Sequence, residues 1–158
     1  MFRIINISTD SVKRNTCIPG VDVYNEKEQI SKINKLFLGE EFEGYNEIIK
    51  CIKCKLSSYK TQDRKKNIFN SNNFITYTEI LEKLVVSKLK CDYCRGVTLL
   101  MYTDRREKRQ WTLDRIDNST GHTGENTVIC CLECNLQRRC TNDKKFKFTK
   151  QMRIIKHH

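Results

Sequence analysis

Three Cys-x-x-Cys pairs, Cys51/Cys54, Cys91/Cys94 and Cys131/Cys134, constrain this chain more than any other feature. Two residues between cysteines let a tight turn aim both sulfurs at one ion, and two such pairs complete a tetrahedral zinc site. Cys91/Cys94 and Cys131/Cys134 bracket residues 95–130, a stretch that reads as a pair of strands and a loop. A four-cysteine structural Zn2+ site on these residues is therefore expected. A redox CxxC opens a helix after a strand in a thioredoxin-like unit, and that pattern is absent. In a domain of this size metal ligation would supply much of the folding free energy, on the order of 10 kcal/mol.

The first pair is less defined. Cys51/Cys54 is open to partnership with Cys91/Cys94, or with two of Cys17, Cys130 and Cys140. It is equally open to being two core-facing thiols at helical spacing. The pairs begin at 51, 91 and 131, but a shift of 40 aligns little besides cysteine: Trp111 meets Ser71 and Asp114 meets Phe74. The step is a coincidence rather than a repeat.

Nine cysteines, an odd count in tight pairs, argue against a secreted disulfide scaffold. Met1–Ser8 has no signal-peptide pattern, and no run approaches the ~18–20 apolar residues of a membrane span. These points predict a reducing compartment, cytoplasm or nucleus, and no membrane partner. The chain has 158 residues and a formal charge of +11, with a pI near 9.3. Such a charge favours a polyanionic partner. It is concentrated at the C-terminus, where Arg138, Arg139, Lys144, Lys145, Lys147, Lys150, Arg153 and Lys156 face one acid, Asp143. A one-signed tail beside a metal site fits phosphate binding better than general solubility.

Hydrophobic periodicity predicts a helix over Glu26–Leu38 with Gly39 as its stop, and a second over 46–56 with Ile48, Ile49, Ile52 and Leu56 on one face. Phe2–Ser8 reads as a strand, Pro19-Gly20 as a turn and Ser57–Asn73 as a polar, basic linker. Thr76 and Glu79 have capping-box spacing ahead of Ile80, Leu81, Leu84, Val85 and Leu89, a helix ending near Lys88 or Lys90. Val97–Thr103 and Gln110–Ile116 read as strands around a charged turn. A loop follows over Asp117–Glu125, Val128 and Ile129 lead into the last cysteine pair, and a helix starts at Cys134. Phe146, Phe148 and Met152 give the basic tail an apolar side, and Trp111 and Tyr102 read as packing residues. The expectation is an α+β protein, with a mainly helical region of unknown role over 1–75 and a metal-bound region over 76–158.

Cys91-Asp-Tyr-Cys94, Leu113-Asp-Arg-Ile-Asp-Asn118, Gly121-His-Thr-Gly-Glu-Asn126 and Cys131-Leu-Glu-Cys-Asn135 together resemble the zinc-stapled HNH, or ββα-metal, endonucleases. They look most like versions found in phages and large DNA viruses, including the endonuclease VII group. The resemblance covers roughly residues 88–142; residues 1–75 bring none. It implies a treble-clef-like zinc core and hydrolysis of DNA phosphodiester bonds with one divalent cation, Mg2+ or Mn2+. By motif position Asp114 and Asn135 would hold that cation, and Asn126 would tie the loop and orient the base. Hard oxygen donors for Mg2+ and soft thiolates for zinc would keep the two metals apart.

One position departs from the family. Where the general base is usually histidine, this chain has Arg115. A guanidinium stays protonated and is a poor base, but it can clamp phosphate and stabilise developing charge. His122, Asp117 and a metal-bound hydroxide are the substitute routes to a base. His122 reads equally well as an exposed loop residue, and Asp117 as a loop cap. Arg138 and Arg139, one turn past Asn135, would reach phosphates, with Lys144 and Lys145 adding contacts that position nucleic acid without reading sequence. The alternative is a catalytically inactive, zinc-dependent nucleic-acid-binding protein. RNA stays open beside duplex or branched DNA, and a homodimer would suit paired cuts.

Overall fold

The computed structural model describes residues 24–155; the expected strand at 2–8, the Pro19-Gly20 turn, Cys17 and Lys156 lie outside them. Helix α1 spans Glu26–Leu38. Asn25 caps it by accepting from the Glu28 N–H, and Gly39 ends it in the left-handed region, at φ 74°, donating to Leu36 and Lys35 carbonyls. A left-handed C-cap satisfies otherwise orphaned carbonyls, and glycine adopts it without a Cβ penalty.

Helix α2 spans Tyr45–Lys65 and overturns the linker expected from residue 57. Its buried residues are Ile48, Ile52, Tyr59 and Asp63, one face at helical spacing. Two of these anchors are polar, so apolar periodicity fades at Leu56 while the buried face continues. Around them Lys60, Gln62, Arg64 and Lys65 are good helix formers.

Thr76 and Glu79 form the expected capping box on α3, Tyr77–Val86. Their bonds are 3.2 Å from Glu79 N to Thr76 Oγ1 and 2.7 Å from Thr76 N to Glu79 Oε2. The chain then turns through Lys88 and Leu89, both at positive φ, and reaches Cys91.

Val97–Thr103 is not a strand; it makes only isolated bridges, Lys90 to Val97 and Leu99 to Gln110. Leu99 exchanges backbone bonds with Arg109 and Trp111, and the next two N–H groups are taken by α1. The buried Gln29 side chain accepts from Leu100 N at 2.5 Å and Met101 N at 3.1 Å. The two-stranded sheet pairs β1, Trp111–Arg115, with β2, Thr127–Cys131, antiparallel, with Leu113 opposite Ile129 and Arg115 opposite Thr127. The hairpin therefore closes around residues 116–126 and not around the charged turn at 104–108. Helix α4, Leu132–Arg138, follows β2 directly, and α5 spans Asp143–Gln151. The result is mixed helix and small sheet.

One hydrophobic cluster joins Ile33 and Leu36 of α1, Ile48 and Ile52 of α2, Ile80 and Leu84 of α3, and Trp111, Leu113 and Ile129 of the sheet. A second surrounds the cysteines and holds Tyr93 and Phe146, edge to face at 5.1 Å. Of the apolar side expected on the tail, only Phe146 is buried; Phe148 and Met152 are exposed. Lys147 fastens α5 to Asp92 at 2.8 Å. No helix among the described residues is long and apolar enough to cross a membrane.

The 116–126 loop packs on the end of α2, and Gly121 permits it. A Cβ there would sit 2.7 Å from Ile68 O and 2.9 Å from Asp63 Oδ2. Gly121→Ala must push the loop off α2, at an expected cost of about 1–3 kcal/mol. For a chain of this size that lowers the melting temperature by roughly 2–12 °C, to be read by thermal denaturation.

Candidate functional site

The sulfurs of Cys91, Cys94, Cys131 and Cys134 all lie within 4.8 Å of one another. A Zn–S bond of ~2.3 Å places tetrahedral sulfurs about 3.8 Å apart, so the set needs only small adjustment to hold a metal ion. Each pair sits on a local turn. Arg95, at φ 63°, follows the first pair, and Cys91 N donates to Gly96 O at 2.8 Å. A Cβ on Gly96 would come within 3.3 Å of the Cys94 sulfur. Cys131 is the N-cap of α4, and its sulfur accepts from Cys134 N at 3.4 Å.

A hydrogen bond from the Cys131 thiol, with backbone donors, pulls Cys91 down to about 5. Cys131 is driven up as that donor, and burial with the Cys91 charge pushes Cys134 up to about 12. Sulfurs this close do not all ionise unaided, whereas a dication stabilises four thiolates at once. No other group of three or more metal-ligating side chains occurs among the described residues. Cys51 is half-buried and Cys54 exposed on α2. Cys130 is buried with its sulfur 3.2 Å from Thr112 Oγ1.

Beside the cysteines, β1, α2, α4 and the 116–126 loop enclose a cleft of about 540 Å³. Asp114, Arg115, His122, Asn135 and Arg139 line it, joined by Lys55 and Tyr59 of α2 and by Lys66 at its C-cap, and Asp114 is the one lining carboxylate among the described residues. Asp114 Oδ2 accepts from the Tyr93 hydroxyl at 2.7 Å and from Arg138 at 2.8 Å. Burial and that bond raise Tyr93 well above the usual phenol range, so it stays a donor. Asn135 spends its Nδ2 on Thr112 Oγ1 and Leu113 O, at 3.0 and 3.2 Å. Asp114 Oδ1 and Asn135 Oδ1 keep no hydrogen-bond partner among the described residues, and neither is a sealed, orphaned atom.

His122 is 3% exposed and not an open-loop residue. Its ring stacks on Tyr59 at 4.7 Å. Its N–H and Nδ1 meet the two oxygens of the fully buried Asp63, each at 2.7 Å. Burial lowers its pKa below 6.5, and Asp63 only partly offsets that. That shift favours the neutral ring, and its Nε2 has no hydrogen-bond partner among the described residues.

The remaining expected residues divide. Asn126 spans the loop, accepting from Asp117 N at 2.8 Å and donating to Asp117 O, Thr120 Oγ1 and Gly121 O. Asp117 is exposed and caps the turn by accepting from Ser119 N and Oγ at 2.8 and 2.7 Å. Those bonds lower its pKa, and it does not line the cleft, so it is no candidate base. Arg115 is buried, 3.7 Å from Asp63, and donates to Thr120 O at 3.3 Å. Arg138 corrects the expectation of a phosphate contact. At 2% exposure it is locked onto Asp114, Arg115 O and Ile116 O. Lys144 and Lys145 are exposed in the first turn of α5 and do not line the cleft.

Among the described residues the Arg139 guanidinium has no hydrogen-bond or ion-pair partner, and it is exposed at the cleft mouth. Arg139→Ala is expected to leave stability within about 0.5 kcal/mol and, for any nucleic acid the cleft takes, to reduce the salt slope of binding by about 1. Fluorescence anisotropy over a salt series reads both slope and affinity.

Asp63, Tyr59, Lys55 and Lys66 come from a region that carries no family motif. The signal for Asp63 was available: Ile48, Ile52, Tyr59 and Asp63 share a helical phase, and Asp63 is the one acid after Glu47 in an otherwise basic helix. Lys55 is drawn inward over Trp111, with Nζ 5.0 Å from the ring centroid. It donates to Gln110 Oε1 and Trp111 O at 2.8 and 2.9 Å, and burial lowers its pKa to about 8. Comparison of the chain with protein-family models, curated proteins and solved structures finds no match.

Proposed function

We propose that this protein is a zinc-stapled endonuclease that hydrolyses DNA phosphodiester bonds with a second, catalytic divalent cation. The observation that carries the reading is one basic cleft lined by Asp114, Asn135, His122 and Arg115, each with unspent hydrogen-bonding or charged capacity. The order β1, loop, β2, α4 over a four-cysteine cluster supports a ββα-metal core.

All-sulfur donors fit zinc at the cysteines. The oxygen pair Asp114 Oδ1 and Asn135 Oδ1 fits Mg2+ or Mn2+, which favour oxygen and complete their shells with water and substrate phosphate. When bound, such a cation neutralises the phosphate and the leaving oxygen. Asp114 is already paired with Arg138, so cation affinity should be weak until nucleic acid adds its phosphates. In this reading His122 Nε2 accepts the proton of the attacking water, and Arg115 faces the developing charge. Arg139 and Lys66 neutralise flanking phosphates. Asn126 holds the loop that carries His122.

The same Arg138–Asp114 pair favours a second reading, a nucleic-acid-binding protein without catalysis, because it cancels the one lining carboxylate among the described residues. Zinc-loaded protein offered duplex, branched and single-stranded DNA and RNA, with Mg2+, Mn2+ or EDTA, separates the two. The nuclease reading expects salt-sensitive binding and cleavage of a DNA form only with the added cation. Tight binding with no cleavage of any form would establish the second reading. Binding that is absent or indifferent to salt contradicts both.

A further inference from the structure

We propose that Asp63, on helix α2 outside the strand–loop–strand–helix segment, is a positioning residue that locks His122 with Nδ1 protonated and Nε2 presented to the cleft as a proton acceptor. Its catalytic meaning rests on the nuclease reading, but the geometry is independent of it. Asp63 is wholly buried, and both of its oxygens are committed to His122, one to the backbone N–H and one to the ring, each at 2.7 Å. A carboxylate accepts only, so the ring nitrogen facing it must be the donor. In a neutral imidazole that makes Nε2 the acceptor. The ring cannot turn away, because Tyr59 stacks on its face and the Gly121 backbone is seated against Asp63 and Ile68.

The charged groups around His122 act in opposed directions. Asp63 from α2 and Asp114 from β1 favour the protonated ring, while Arg115 from β1 and burial disfavour it. The ring is thus oriented by a carboxylate without being made cationic by it, as a general base near neutral pH requires. The helix on which the first cysteine pair lies would in this way complete the active site.

Asp63→Asn tests the assignment. The His122 N–H is a fixed donor, so the new amide turns its oxygen there and points its NH2 at Nδ1. The ring must then move its proton to Nε2. The chain has three histidines, so ¹⁵N-resolved imidazole spectra at pH 8 assign His122 against His122→Ala. The expected result is an Nδ1–H ring in the wild type and an Nε2–H ring in Asp63→Asn. Cleavage at pH 8 should fall about 100-fold or more in kcat with KM unchanged, and the acid limb should move to lower pH. A merely structural role would lower the melting temperature while leaving the ring and the limb where they were. An Nε2–H ring in the wild type, or wild-type kcat in Asp63→Asn, overturns the proposal. A wild type that cleaves nothing but shows the Nδ1–H ring upholds the positioning by Asp63 and sinks the nuclease reading instead.

Discussion

Replacing Cys131 with serine, or stripping the metal with a chelator, is expected to abolish cooperative unfolding of the segment from Cys91 to α5. The cysteine cluster contains few large apolar side chains, chiefly Tyr93 and Phe146, too few to hold α4 and α5 unaided. Metal ligation in small domains contributes on the order of 10 kcal/mol, comparable to the whole stability of an ordinary domain. Cys131 also caps α4, and α4 carries Asn135 and Arg138. Loss of the cluster therefore releases Arg138 from Asp114 and opens the cleft. Circular dichroism melts with and without a tight chelator, beside metal analysis showing one zinc per chain, measure this. Cys54→Ser, exposed on α2, is the control and should stay within about 0.5 kcal/mol of the wild type. An identical melting curve after complete metal removal would refute a structural role for the cluster.

The second large effect concerns Asp114, where two substitutions should behave differently. Asp114→Ala leaves the Arg138 guanidinium buried without its counter-charge and the Tyr93 hydroxyl without its acceptor. Breaking such a buried pair typically costs about 3–5 kcal/mol, enough to confuse lost chemistry with lost folding. Asp114→Asn also removes the counter-charge but retains an oxygen that can accept from both partners, and so should fold with a smaller penalty than Asp114→Ala. It removes the one lining carboxylate among the described residues, so cleavage is still expected to fall by a factor of about 10²–10³, the range seen when one electrostatic contact to the transition state is lost. Melting curves and initial cleavage rates on the same preparations separate the effects. Asp114→Asn cleaving at the wild-type rate would remove Asp114 from the chemistry.

Short-range chemistry was legible in the residues, and long-range satisfaction of polar groups was not. The two CxxC turns, the Thr76 and Glu79 capping box and the Gly39 stop are each fixed within a few residues. Val97–Thr103 has strand-forming composition, yet Gln29, some seventy residues earlier, takes the backbone N–H groups of Leu100 and Met101. Helix α2 continues past Leu56 on a face made of Tyr59 and Asp63, which apolar periodicity cannot follow. Arg138 and Arg139 are adjacent and alike in sequence. The register of α4 turns Arg138 inward to Asp114 and leaves Arg139 at the cleft mouth. Asp63 shows why the His122 motif could not be resolved alone: the residue that buries and orients that ring lies on another element.

The most direct test of the central claim is nicking of supercoiled plasmid by zinc-loaded protein in Mg2+, with the wild type and Asp114→Asn run side by side and EDTA as the blank. The account predicts Mg2+-dependent nicking by the wild type, none in EDTA, and a loss of at least about 100-fold in the folded variant. Equal nicking by both proteins, or nicking that persists in EDTA, would contradict it.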